Sequence, residues 1–425
     1  MNLLRLKAIR QIGNVGDMLD STFALLRFKI LPIVTALIAF SGQSAALNYD
    51  GSIELEQRYF FDDKAGPVED LGQFSARLQM EFFKDWDNGD QQLVFEPFLR
   101  LDAQDGERSH ADIRQLLWSK LGKNYEFSAG LGRVFWGVTE SQHLVDIINQ
   151  TDNVENIDGE DKLGQPMIRY SYFDDFGSID AFLLPAFRPR TFAGKNSRLN
   201  GGFVVDSDNE LYEDSSEENN IDLAIRYSNT FGDWGVGLSW FKGTSREPDL
   251  LRFADFQNFS TTAYYPQIDQ LGADIQLTTD AWLLKFEAIQ RSFNDSTYED
   301  FSAATLGAEY TLVGIMSSVY DLGLLAEYSW DERDQAATSI FQNDFFVGAR
   351  LALNDISDSQ VLFGISQDFD NSDSQAIFIE AATRVAPAVT INVELRHFNS
   401  DTPSDPIFRF RDDSFIQIGL EYFFD

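Results

Sequence analysis

The chain has 425 residues, with 33 Lys and Arg against 68 Asp and Glu, a formal charge of −35, no cysteine and 38 Phe. That balance leaves no basic face for a nucleic-acid partner, and the lack of cysteine excludes disulfides, thiolate zinc sites and iron–sulfur clusters. Disordered acidic chains are poor in apolar residues, whereas 44% of this one is hydrophobic and 14% aromatic.

Residues 1–46 read as a secretory signal peptide. The most apolar run, 30–40 (ILPIVTALIAF), is too short for a bilayer span of about 20 residues. Arg27 and Lys29 precede it and Ser44-Ala45-Ala46 follow, the order of a cleavable leader. Met18 is an alternative start. Removing five basic and two acidic residues with the leader leaves 28 against 66, a net −38. No later segment has the length of apolar run that a membrane helix needs.

Across 47–425 the dominant period is two. In 73–84, Phe74, Ala76, Leu78, Met80 and Phe82 alternate with Ser75, Arg77, Gln79 and Glu81. The same alternation recurs at 221–228 and 389–398 and predicts strands with one apolar and one polar face. Strands are expected near 51–61, 73–84, 92–102, 112–121, 124–136, 167–173, 177–188, 220–229 and 233–243. The second half adds 267–279, 281–292, 302–312, 321–331, 344–353, 360–369, 375–385, 388–398 and 414–424, eighteen in all. Their connections alternate between mostly short turns (Gly122-Lys123, Asp280, Ala386-Pro387) and longer acidic loops, the largest being 137–166, 189–219 and 244–266. Short periplasmic turns opposite long external loops, with aromatics such as Tyr59, Trp118, Trp234, Trp282 and Trp330 near strand ends, are the layout of an outer-membrane barrel. The expected fold is all-β, a transmembrane antiparallel up-and-down barrel of about 18 strands, with 16 the nearest alternative.

If the apolar face meets lipid, the polar face lines a lumen. That face carries Arg58, Arg77, Arg100, Arg133, Arg169, Arg226, Lys285, Arg291, Arg350, Arg384 and Arg396. It also carries Glu81, Glu96, Asp180, Asp222, Glu287, Glu309, Glu380 and Glu394. A charge at the lipid midplane costs about 2–4 kcal/mol, so these side chains are expected to point inward. Either interstrand ion pairs brace the wall, or acids and bases segregate and set a field across a constriction.

Two stretches carry a resemblance. Gly132-Arg133-Val134-Phe135-Trp136-Gly137, then Glu140, His143 and Val145-Asp146-Ile147-Ile148-Asn149-Gln150-Thr151-Asp152, resembles a Gly-Arg…Trp-Gly…Asp-x-Ile-Asn-Pro-x-Asp segment. That segment belongs to a group of proteobacterial outer-membrane barrels akin to porins and alginate-export channels; Gln150 stands where the group has Pro. The C-terminal alternation Ile416, Ile418, Leu420, Tyr422, Phe424 resembles the signal read by the barrel-assembly machinery, although Asp425 follows the aromatic. The resemblance implies an outer-membrane channel or export pore. On the residues themselves, Arg133, Trp136, Glu140, Asp146 and Asp152 are expected to pin loop 137–166 against the wall.

Enzymatic chemistry is not expected. His110, His143 and His397 are the only histidines, and none stands in a recognisable catalytic constellation. No cofactor and no dedicated metal site is expected. Asp206-Ser-Asp208-Asn-Glu210 spaces oxygens like part of a calcium loop without its glycine turn or distal Glu, so at most weak Ca²⁺ binding follows. The sequence thus reads as a Gram-negative outer-membrane channel for passive diffusion of small hydrophilic or organic solutes. The alternatives are an export pore for a polymer or lipid, or a sealed barrel acting in surface binding or adhesion. Expected partners are outer-membrane lipid and lipopolysaccharide, the assembly machinery through Ile416–Phe424, a small-molecule solute, and two further copies in a homotrimer.

Overall fold

The computed structural model describes residues 47–62 and 71–425, so the expected signal peptide lies outside the described residues. Twenty strands follow in chain order. The first ten are β1 (Asn48–Phe60), β2 (Gly72–Trp86), β3 (Gln91–Asp102), β4 (His110–Leu121), β5 (Tyr125–Gly132), β6 (Gln165–Asp174), β7 (Gly177–Leu184), β8 (Val204–Tyr212), β9 (Asp222–Phe231) and β10 (Trp234–Thr244). The rest are β11 (Ser260–Tyr265), β12 (Gln267–Thr278), β13 (Trp282–Phe293), β14 (Phe301–Leu312), β15 (Asp321–Asp331), β16 (Asn343–Ala352), β17 (Gln360–Asp368), β18 (Gln375–Ala386), β19 (Val389–Asn399) and β20 (Phe415–Phe424).

Eighteen of them form one antiparallel sheet, each strand paired with the next barrel strand. The sheet closes on itself, because β1 pairs with β2 on one side and with β20 on the other, from Gly51↔Phe424 to Phe60↔Phe415. Closure leaves no edge strand and satisfies every ladder internally, the condition for a sheet that meets lipid. All eighteen expected strands are present and the 16-strand alternative is not realised.

The two-residue period sets which side chain faces which solvent. In β1, Ser52, Glu54, Glu56 and Arg58 are buried inside the ring, while Ile53, Leu55 and Tyr59 are about half exposed outside it. The outward set continues with Ile168, Leu223, Leu238, Leu271, Leu306, Leu324, Val347, Phe363 and Leu420. It makes a continuous apolar band. Exposed aromatics bound that band at both ends: Tyr49, Phe231, Trp234, Trp282 and Tyr422 on the short-turn side, Tyr59, Phe61, Trp330 and Phe369 on the loop side.

One break in the alternation has a cause in the sequence. Pro97 has no N–H to give the ladder, and the β3–β4 register shifts between Glu96 and Pro97. The resulting bulge leaves Arg114 as the extra residue and turns it into the lumen, where it is almost fully buried.

Two strands stand outside the ring. β8 and β11, from the loops 185–221 and 245–266, form a small parallel sheet that the sequence reading did not expect. β8 contains the candidate calcium segment. Its register jumps from Asp206 to Leu211, and the Asp206 carboxylate accepts from the Asp208 N–H and the Asn209 amide.

Candidate lumen and its inserted loop

Residues 133–164 connect β5 to β6 and fold into the barrel, starting before and ending before the expected 137–166 because β5 stops at Gly132. Trp136, Val145, Ile147 and Ile148 are buried against Phe182, Leu184, Phe241, Ile268, Ile289 and Phe301 of the wall. Trp136 meets Phe182 edge-on at 5.7 Å, and the Arg226 guanidinium lies 5.2 Å from its ring. Gly272 makes room for the loop: a Cβ there would stand 2.6 Å from Ser239 Oγ and 3.2 Å from Val145 Cγ1.

Two wall carboxylates receive the loop backbone. Glu287 on β13 accepts the N–H groups of Val138 (2.6 Å), Thr139 (3.0 Å) and Val145 (3.2 Å) and the Thr139 hydroxyl (2.7 Å). Glu327 on β15 accepts from Glu140 N–H (2.9 Å), Ser141 N–H (2.8 Å) and the Ser141 hydroxyl (2.6 Å). Both acids are almost wholly buried. Such charge-assisted bonds satisfy amides that water cannot reach. Gly137 has φ +140°, and a Cβ there would come within 2.9 Å of Glu287 Oε1.

The loop is also tied at its ends. Asn149 donates to the Gly132 (2.9 Å) and Leu163 (2.8 Å) carbonyls and accepts from Val134 N–H (2.8 Å), which fastens the two ends to each other. Arg246 donates to the Ile148 carbonyl and pairs with Asp222 at 2.7 Å. On the far side, Arg100 pairs with Glu155 at 2.7 Å, and Arg108 donates to the Val154 (2.9 Å) and Glu155 (3.1 Å) carbonyls.

Of the five residues expected to pin the loop, three touch the wall from within it. Trp136 packs as described, Glu140 pairs with Arg350 (2.6 Å) and Lys285 (3.7 Å), and Asp152 pairs with Arg114 (2.5 Å). Asp146 instead acts inside the loop, accepting from Trp136 N–H and pairing with Lys162 at 3.2 Å. Arg133 joins Glu96 across the wall. His143 meets Glu160 at 3.2 Å, also within the loop. Burial disfavours its imidazolium, but the Glu160 carboxylate outweighs this and raises the His143 pKa above its ordinary value.

Around the ring, acids and bases interleave. Arg77 pairs with Glu54 and Glu421, Arg100 with Glu56, Arg169 with Glu126, Arg226 with Asp274 and Arg291 with Glu247. Lys285 reaches Glu309, and Arg396 reaches Glu380, Glu394 and Asp158. Arg384 pairs with Asp358 near the short-turn side. Among the described residues Arg58 meets no carboxylate within ion-pair distance; it donates to Gln417 at 2.8 Å and lies over the Phe415 ring. Asp180 accepts from Ser171, and Glu81 is half-buried on the inward face of β2. Interleaving is the bracing arrangement, without the separation of charge that a transverse field needs.

The apolar side chains of the loop pack against β7–β14, and its polar groups reach β3, β4, β15 and β16. Along β16–β20 and β1 a cavity of about 600 Å³ remains. Glu54, Asp158, Glu380, Glu394 and Arg350 line it. Sequence reasoning did not single out Arg108, Arg114, Arg246, Glu247 or Arg333. Arg108, Arg246, Glu247 and Arg333 lie in loops where no alternation assigns a face, and Arg114 owes its direction to the bulge.

No family model and no curated protein matches the chain. Among solved structures, a mutant of the Rh. blastica porin is 13% identical, with 89% of this chain and 100% of that chain covered and a TM-score of 0.43. OmpT, an outer membrane protein of Vibrio cholerae solved in a trimer form, is 11% identical, with 90% and 100% covered and a TM-score of 0.44. Values this low carry no inference about function.

Proposed function

We propose that the chain is an outer-membrane channel through which small hydrophilic solutes diffuse, with a preference for cations. The supporting observation is the division of the wall. A closed ring with an apolar outer band and a charged inner face encloses a loop, and beside the loop lies a cavity whose lining includes Glu54, Asp158, Glu380, Glu394 and Arg350. An apolar band of this kind is stable facing lipid and costly facing water. Carboxylates at a narrow aqueous passage attract cations and repel multivalent anions.

The reading also entails lipid and lipopolysaccharide around the band, with insertion by the barrel-assembly machinery reading Ile416–Phe424. Planar-bilayer recording of the purified, folded protein tests it. Discrete conductance steps with a cation-selective reversal potential are expected. Folded protein that gives no steps would refute the channel, and anion selectivity would refute the role given to the lining.

A further inference from the structure

We propose that His110, Asp152 and Glu155 form a binding site for a divalent transition-metal ion of the Zn²⁺ type, which staples the inserted loop to β4. His110 is the first residue of β4, whereas the two carboxylates belong to the loop. One ligand atom from each residue lies within 4.8 Å of the others. His110 Nε2 stands 3.6 Å from Asp152 Oδ2 and 3.5 Å from Glu155 Oε1. Zn–N and Zn–O bonds of about 2.0–2.2 Å place tetrahedral ligand atoms about 3.4 Å apart, close to these spacings.

A second, independent observation concerns hydrogen bonding. All three atoms are buried; His110 Nε2 and Glu155 Oε1 have no hydrogen-bond partner, and Asp152 Oδ2 is met by the Arg114 guanidinium. The Asp152 and Glu155 side chains are 0% and 2% exposed. The His110 ring explains the direction. Its Nδ1 lies 3.1 Å from the Arg108 carbonyl, which can only accept, so Nδ1 carries a proton and donates it there. In the neutral ring Nε2 then presents a lone pair to two carboxylate oxygens, and three electron-rich atoms converge with nothing between them.

The supporting contacts have the pattern that orients metal ligands. The second ring nitrogen is held by a backbone carbonyl, Glu155 Oε2 accepts from Arg100 Nε at 2.7 Å, and Asp152 Oδ1 accepts from the Thr191 hydroxyl. Arg114 Nη1 approaches the ligating Asp152 Oδ2 at 2.5 Å. A carboxylate oxygen has two lone pairs and can serve both. Three protein ligands leave a fourth position for water. The site does not depend on whether the barrel conducts.

The test is calorimetric titration of Zn²⁺ alone into the full-length, detergent-folded protein after chelator treatment. One Zn²⁺ per chain is expected. His110→Gln and Glu155→Gln should each weaken uptake by about 100-fold, and His143→Gln should leave it unchanged. Co²⁺ should give the visible absorption of a tetrahedral site. Absence of Zn²⁺ uptake, or equal uptake by His110→Gln, would overturn the proposal and leave His110 as an imidazolium bridging two acids. If His110→Gln does not fold, the Co²⁺ spectrum of the wild type decides: octahedral or absent bands overturn the site.

Discussion

Replacing Glu287 by Ala is the sharpest probe of the inserted loop. The side chain accepts three backbone N–H groups and one hydroxyl, and it is wholly buried. A hydrogen bond to a charged group is worth about 1.5–3 kcal/mol net, and an amide left without an acceptor costs about 1–3 kcal/mol. The losses are not additive, since water can enter the space vacated by the carboxylate. We therefore take about 3 kcal/mol for the variant, which corresponds to a loop-opening equilibrium shifted about 100-fold. Hydrogen exchange of amides 137–145 in the detergent-folded protein reads this directly, because opening of the loop alone sets their protection. Protection should fall about 100-fold while the barrel strands keep theirs, and single-channel conductance should rise as the loop leaves the lumen. Protection within about threefold of wild type would refute the anchoring role, because it would place the opening free energy outside Glu287.

Leu306→Lys puts a charge at the middle of β14, where Leu306 is 61% exposed on the outer band. Unfolding titrations in lipid vesicles should show a loss of about 2–4 kcal/mol, and a neutral result would argue against a membrane facing that band. Glu380→Gln with Glu394→Gln removes two of the four carboxylates at the passage. A unit charge about 8 Å away in a water-like medium attracts a cation and repels an anion by about 0.5 kcal/mol each, so the cation-to-anion permeability ratio should drop about fivefold for each carboxylate removed; an unchanged reversal potential would remove these residues from the permeation path. The His143–Glu160 contact gives a pH dependence of known sign. His143 is raised and Glu160 lowered, so the pair holds between the depressed Glu160 value and the raised His143 value and is lost as pH rises through the latter. Exchange at 143–146 should accelerate on the alkaline side, and His143→Ala should flatten the profile.

The ring was legible because lipid and water on opposite faces impose a strict period of two. That period shows in runs such as Ile53, Leu55 against Glu54, Glu56 without knowledge of any partner. It marks which residues face inward but not which meet, so Lys285 and Glu309 could be placed on one face and not paired. The lumen interior was illegible for a related reason. The loop is held by Glu287 and Glu327, which lie 149 and 187 residues from the amides they accept, and no local pattern encodes such contacts. The small sheet of β8 and β11 escaped notice because Asp206, Asp208, Asn209 and Glu210 read as a solvated acidic loop. The Asn149 of the resembling segment was legible as a motif, yet its work of joining Gly132 to Leu163 shows only in three dimensions.

The position of those carboxylates also orders events in time. The loop follows β5, but its acceptors arrive on β13 and β15, and the ring itself closes only when β20 meets β1. Until then Val145, Ile147 and Ile148 have no wall to bury them, and the amides of 138–141 have no acid to receive them. Any stage at which β13 and β15 have not yet joined the ring leaves this segment sticky and unpaired. Substitutions at Glu287 or Glu327 should lower the yield of inserted barrel before they alter the finished one.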